Sequence, residues 1–201
     1  QLHNGAGAVS YRRAFPAQSI VQQAAEAENI ARAWRHVVDD ILSAEVAMEE
    51  DDWDDDADGD EAGPDIERIH DRLKKIWEGR YQAPDLQACL IPKADGGVRA
   101  LAIPPLIDRV LQRSISQVLS PALERLMDQY SYGYRPGRSR LQARDAIQRS
   151  WREGYRYVFE GDIRDFFDSV IIARLRVRLQ CLFNDPPLIA AIMGWMQAAV
   201  H

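Results

Sequence analysis

Near the middle of the chain, two short apolar runs are joined by a turn that only a glycine-tolerant backbone can close. Leu86 to Lys93 reads as a strand, Ala94-Asp95-Gly96-Gly97 as the turn, and Val98 to Ile103 as the returning strand. Asp-Gly between apolar runs is a strong hairpin signal, because glycine accepts the positive φ that such turns require. Pro104-Pro105 ends the ribbon, since proline cannot extend a ladder. On both sides the apolar spacing changes from two to three and four residues. A ribbon set among helices makes the expected fold class α+β.

The helical pattern runs from Ser19 to Met48, through Ile20, Ala24, Ile30, Trp34, Val37 and Ile41, with Ser19 able to cap its start. A second helix is predicted over Asp65 to Trp77 and a third over Leu106 to Leu119, with Ser120-Pro121 restarting a short one. The stretch 131–139, Ser-Tyr-Gly-Tyr-Arg-Pro-Gly-Arg-Ser, cannot be regular structure. Ser139 then caps a helix to Glu153, and Tyr155 to Asp162 alternates as a strand. Asp165 or Asp168 is expected to cap a last amphipathic helix through Leu182, before an apolar segment from Leu188 to Val200.

With 201 residues, 46% of them apolar, the chain can bury one mid-sized core or two small ones. No apolar run approaches the roughly 20 residues of a membrane-spanning helix, so no membrane role is expected. Gln1 is not followed by a leader pattern, which reads as a trimmed start or an internal piece. Cys89 and Cys181 lack a metal-ligand partner at short spacing and read as buried thiols in a reducing, cytoplasmic setting. The net charge of −6 comes from one place: ten acids and no base lie between Glu49 and Glu61, and the rest holds 21 acids against 25 bases. From Arg109 to Arg156 there are ten arginines against four acids. Arginine presents a planar fork suited to phosphate, so the body suits either a polyanion or ordinary solvated helices. The acidic run reads as a self-repelling linker. Asp54, Asp56, Asp58, Gly59 and Asp65 match a calcium-loop spacing, although Glu61 stands where that loop wants an apolar residue and Asp replaces its last Glu. A strip covering the basic groove is a third reading.

The stretch Val158-Phe-Glu-Gly-Asp162-Ile-Arg-Asp165-Phe-Phe167-Asp168 sets a carboxylate at the end of an apolar run. Magnesium takes oxygen ligands and keeps several waters with one or two carboxylates. Asp162 can serve that purpose or simply end a strand, whereas Asp165 and Asp168 read as helix caps. Phe166 is the core aromatic of its pair. Lys93 and Arg99 flank the hairpin turn, either as a two-cation site or as ordinary surface charges.

Four blocks occur in order: Ile91-Pro-Lys93-x-Asp95-Gly96-Gly97-x-Arg99, Ile103-Pro-x-x-x-Asp108-Arg109, the 131–139 stretch, and the Asp162 block. The series resembles the reverse transcriptases (RNA-directed DNA polymerases) of the group II intron type, and the Glu160–Ser169 spacing leans towards their CRISPR-associated branch. The resemblance spans about residues 66 to 183. It implies fingers over 65–154 with the hairpin 86–103 and the first part of a palm over 155–201, preceded by a helical extension over 1–48 and an acidic linker over 49–64. It implies that Lys93 and Arg99 bind the triphosphate of a dNTP, that Asp162 is catalytic and holds Mg2+ together with the backbone of Ile163, and that Phe167 rejects a 2′-hydroxyl. By position, Arg109, Arg135 and Arg138 fit contacts to nucleic acid, although Arg109 could equally pair with Asp108 or Glu124. Two Mg2+ ions, an RNA template, a DNA or RNA primer and a CRISPR integrase as fusion or partner complete the expectation, with a role in spacer acquisition from RNA.

The family's Tyr-x-Asp-Asp block does not occur after Asp162, and the only Asp-Asp pairs lie upstream, at 39–40 and within 51–56. The 201 residues alone are therefore expected not to polymerise DNA. The rival expectation is a non-catalytic nucleic-acid-binding or scaffolding module on the same framework.

Overall fold

The computed structural model describes residues 19–46, 65–92, 96–164, 166–167 and 169–201. The acidic run and the turn residues Lys93, Ala94 and Asp95 lie outside these, as do Asp165 and Asp168. In chain order the described elements are α1 (Ile20–Ala24), α2 (Ala27–Val46), α3 (Ile66–Trp77), β1 (Gln87–Pro92), β2 (Val98–Ile103), α4 (Leu106–Glu124), α5 (Arg140–Arg152), α6 (Ile172–Leu182) and α7 (Pro186–Met196). The mixture of helices with a small ribbon is the α+β class that the spacing predicts. The chain divides into two units: one runs up to Leu119 and includes Ile172–His201, and the other is Ser120–Ile171.

The first unit is built around α3. Ile69, Leu73 and Ile76 line one face of this helix and are fully buried. They pack among α1, α2 and α7, and burial of each such side chain contributes about 1.5–3 kcal/mol. Val110, Leu111 and Ile115 of α4 and Leu188, Ala191 and Met193 of α7 are buried as well. Asp65 caps α3, its carboxylate accepting from the Arg68 amide at 3.0 Å.

The N-terminal helical pattern is broken, not continuous. Ser19 and Gln22 form a reciprocal capping box at α1, but the helix stops at Ala24 and α2 starts at Ala27. The break has a cause in Asn29, which is buried. Its Nδ2 donates to the Ala24 carbonyl at 3.1 Å, offering that group an alternative to the helical ladder. The same amide donates to the Ser114 carbonyl at 2.9 Å, and its Oδ1 accepts from Gln117 at 2.9 Å. Asn29 thereby ties α2 to α4. In turn, α4 runs through Pro121 where a restart was expected. The proline removes one ladder bond three residues before the helix ends, and its fixed φ suits a helix, so the axis continues.

The ribbon forms where it is expected, its strands antiparallel from Gln87 opposite Ile103 to Pro92 opposite Val98. Gly96, at φ +83°, supplies the positive dihedral that the turn needs. The C-terminal residues lie along the foot of β1: the Leu86 amide donates to Ala199 at 2.8 Å and the Ala88 amide to His201 at 2.7 Å.

In the second unit, Tyr155 to Asp162 is not a strand. A strand exists through its partner, and no ladder reaches this segment among the described residues. Tyr157 and Phe159 are 98% and 95% exposed on one face and Val158 77% on the other, so neither face is covered. α6 begins only at Ile172, which puts Ile171, and neither Asp165 nor Asp168, at its capping position. Two further expectations fail on burial. Cys181 is exposed because α6 buries no residue, and Cys89 is half-buried because β1 buries none; Phe166 is exposed beside Phe167.

Candidate active site

The hairpin is anchored at its root by a buried polar cluster. Asp108, two residues into α4, is 0% exposed. Arg72 Nη1 of α3 stands 2.8 Å from its Oδ2, and the Tyr81 hydroxyl donates to its Oδ1. Tyr81 in turn accepts from Trp195 Nε1 of α7 at 2.7 Å, with the two rings edge to face at 5.9 Å. Burial pushes the Tyr81 hydroxyl well above its ordinary pKa, and its hydrogen bond to Asp108 adds to this. Tyr81 precedes β1 and Asp108 follows β2, so the cluster clamps both feet of the ribbon to α3 and α7. At the far end, Arg99 sits opposite Ile91 in the register, while Lys93 lies outside the described residues.

In the second unit, Arg135 folds back on its own loop. Its side chain is 7% exposed, with Nη2 donating to Glu124 Oε1 at 2.6 Å and Nε to Oε2 at 3.1 Å. Nη1 donates to the carbonyls of Asp128 at 2.6 Å and Ser131 at 2.5 Å. The pairing holds the Glu124 carboxyl below the usual range and raises Arg135. These bonds brace a loop in which Tyr134 takes φ +54°, rare for a residue with a side chain, and Gly137 takes φ +70°. Ser139 then starts α5 through a second capping box with Gln142. Arg138 is exposed, its guanidinium 5.9 Å from the Tyr132 ring centroid, and Arg156 lies 4.7 Å from that of Trp151. An open groove of about 390 Å³ runs among Tyr130, Tyr132, Ile147, Trp151, Tyr155 and Tyr157.

Asp162 is exposed at the end of the apolar segment and takes part in no ion pair among the described residues; its Oδ1 accepts from the Ile163 amide at 2.9 Å. Ile163 is exposed too. Phe167 is 81% exposed, 5.3 Å from Phe166 edge to face. An exposed acid, the exposed residue next to it and an aromatic five residues on from the acid are thus carried on one segment. Asp162 and the Ile163 carbonyl suit Mg2+ in donor type, one carboxylate being enough when waters and phosphates complete the shell. Among the described residues no group of three or more His, Cys, Asp or Glu side chains gathers as a ready metal site.

Arg109 is half-buried on α4. Neither expected internal partner is its own: Asp108 goes to Arg72 and Tyr81, and Glu124 goes to Arg135. The clamp of Arg72, Tyr81, Asp108 and Trp195 was not foreseen. Only Asp108, lying within a recognised block, carried any signal of it.

Residues 91–199 match the model of the family described as reverse transcriptase (RNA-dependent DNA polymerase). Protein YkfC of Escherichia coli (strain K12) is 35% identical over 104 residues, covering 48% of this chain and 26% of that protein. The group II intron-encoded protein LtrA of Lactococcus lactis subsp. cremoris is 30% identical over 105 residues, 52% of this chain and 17% of LtrA. Among solved structures, a chain of a partial Cas6-RT-Cas1–Cas2 complex superposes with a TM-score of 0.51 at 32% identity, over 92% of this chain and 29% of that one. The chain therefore spans about a quarter or less of these two curated relatives. The family match covers more than half of the chain and takes in the second strand of the ribbon, the arginine loop and the Asp162 segment: the chain belongs to the reverse transcriptase (RNA-dependent DNA polymerase) family and is similar to its group II-type members.

Proposed function

We propose that this chain is the fingers (65–154) and first part of the palm (155–201) of an RNA-directed DNA polymerase. The observation that carries the reading is the exposed Asp162–Phe167 segment lying inside the family match. In the proposed reaction a primer 3′-oxygen attacks the α-phosphate of a dNTP and pyrophosphate leaves. Asp162 and the Ile163 carbonyl would hold Mg2+, which when bound supplies positive charge to the reacting phosphate. Lys93 and Arg99 take the triphosphate, and Phe167 packs under the sugar and excludes a 2′-hydroxyl. Arg109 and Arg138 contact the backbone of the RNA template or its primer, positioning without reading sequence. Arg135 serves the same surface indirectly, by holding its loop in shape. The similarity to complexes containing Cas1 and Cas2 supports a CRISPR integrase as partner or fusion and a part in spacer acquisition from RNA.

The test is primer extension on an RNA template by the full protein. Asp162→Asn should lower the rate by about 10² to 10³-fold, the loss expected when a preorganised charge is removed from a transition state, with template binding unchanged. Extension at the wild-type rate by this variant overturns the assignment and favours a non-catalytic, scaffolding use of the framework.

A further inference from the structure

We infer that a basic depression on the first unit, formed by Arg68, Arg72 and Lys75 of α3 with Arg80 of the loop that follows, is a phosphate-binding cleft for a nucleic acid backbone. It measures about 420 Å³ and is also lined by Asp71, Tyr81 and Gln82. Steps of four and three residues set the three α3 cations on one helix face. Gly79, at φ +67°, turns the chain so that Arg80 joins them. Four cations and one carboxylate face the cleft.

Their acidic partners do not block the site. Arg68 is 3.5 Å from Asp65, Lys75 is 2.5 Å from Asp71, and Arg80 meets Glu78, all neighbours in sequence with at least one exposed member. Exposed pairs of this kind are worth little and yield to the charge-assisted hydrogen bonds of a phosphate. Arg72 is different: its Nη1 is ion-paired at 2.8 Å with the buried Asp108, an anchor that the other three cations do not have. From Arg68 to Lys75 the helix rises about 10 Å, a run suited to successive phosphates along a strand.

This inference rests on the nucleic-acid part of the proposed function, and its test needs neither metal nor dNTP. Binding of a 20-base-pair RNA–DNA hybrid by the full chain should weaken about tenfold or more in the triple variant Arg68→Gln, Lys75→Gln, Arg80→Gln. The slope of log affinity against log salt should shrink by about 2 to 3, near 0.9 for each phosphate no longer neutralised. The double variant Arg68→Lys, Arg80→Lys should stay within about twofold of wild type, which separates a change of charge from a failure to fold. A triple variant that binds within twofold and keeps its salt slope overturns the cleft. So does saturable binding of inorganic pyrophosphate that the triple variant loses while hybrid binding stays intact. Asp162→Asn should leave this binding unchanged, so failure of the catalytic assignment leaves the cleft standing.

Discussion

At the scale of single residues, the side chain on which most depends is Asp108. A carboxylate with no exposed surface is tolerated because Arg72 neutralises it and Tyr81 donates to it, and removing one member of such a cluster leaves an uncompensated polar group. Tyr81 turns this into a measurable dependence on pH. Its pKa is raised, first by burial and then by the bond to Asp108, while the donation from Trp195 works the other way. The phenol therefore stays protonated in the fold but ionises in the unfolded chain. Its contribution is complete below about pH 10, the ordinary tyrosine value, and is lost as pH rises beyond it. Between pH 9 and 11.5 the thermal midpoint of the wild type should fall more steeply than that of Tyr81→Phe, whose baseline is lower. Parallel curves would show that Tyr81 ionises as easily in the fold as outside it.

At the scale of elements, α5 is the clearest case of a helix set by its ends. It buries no residue, so its cap carries an unusual share of its stability. Ser139→Ala should cost about 1 kcal/mol, seen as roughly fivefold faster hydrogen exchange across the first turn of α5; an unchanged rate would mean the capping box is idle. The same locality explains what could be read in advance. The ribbon's presence follows from Asp-Gly and two apolar runs, and the caps at Ser19 and Ser139 follow from short-range chemistry. The misses depend on partners distant in sequence or missing from the local pattern. The α1–α2 break depends on Asn29, which is also bonded to Ser114, 85 positions away. The alternation of Tyr155 to Asp162 announces a strand but cannot supply the neighbour that would make it one. In the candidate site, Asp162, Ile163 and Phe167 can be proposed together from the sequence because one short segment contains them. The clamp joins Arg72, Tyr81, Asp108 and Trp195 from four separate stretches, and no local pattern encodes such a meeting.

At the scale of the whole molecule, the two units differ in how they meet the cost of ordering a chain. The first buries whole faces of α3, α4 and α7. In the second, no described residue is buried, while Tyr155, Tyr157, Val158, Phe159 and Phe167 stand at the surface. Conformational entropy costs about 1–2 kcal/mol per ordered residue, so a stretch with no buried apolar side chain has little to offset it. Apolar surface of this extent is a surface for association. The 201-residue chain by itself should therefore self-associate, with light scattering rising with concentration and with salt, which screens its net charge of −6. Tyr157→Lys with Phe159→Lys should return it towards monomer, because both side chains are almost wholly exposed and neither supports a core. If the double variant scatters as strongly as the wild type, association does not depend on these two side chains, and Tyr130, Ile147 and Trp151, which line the groove beside Tyr157, become the next residues to change.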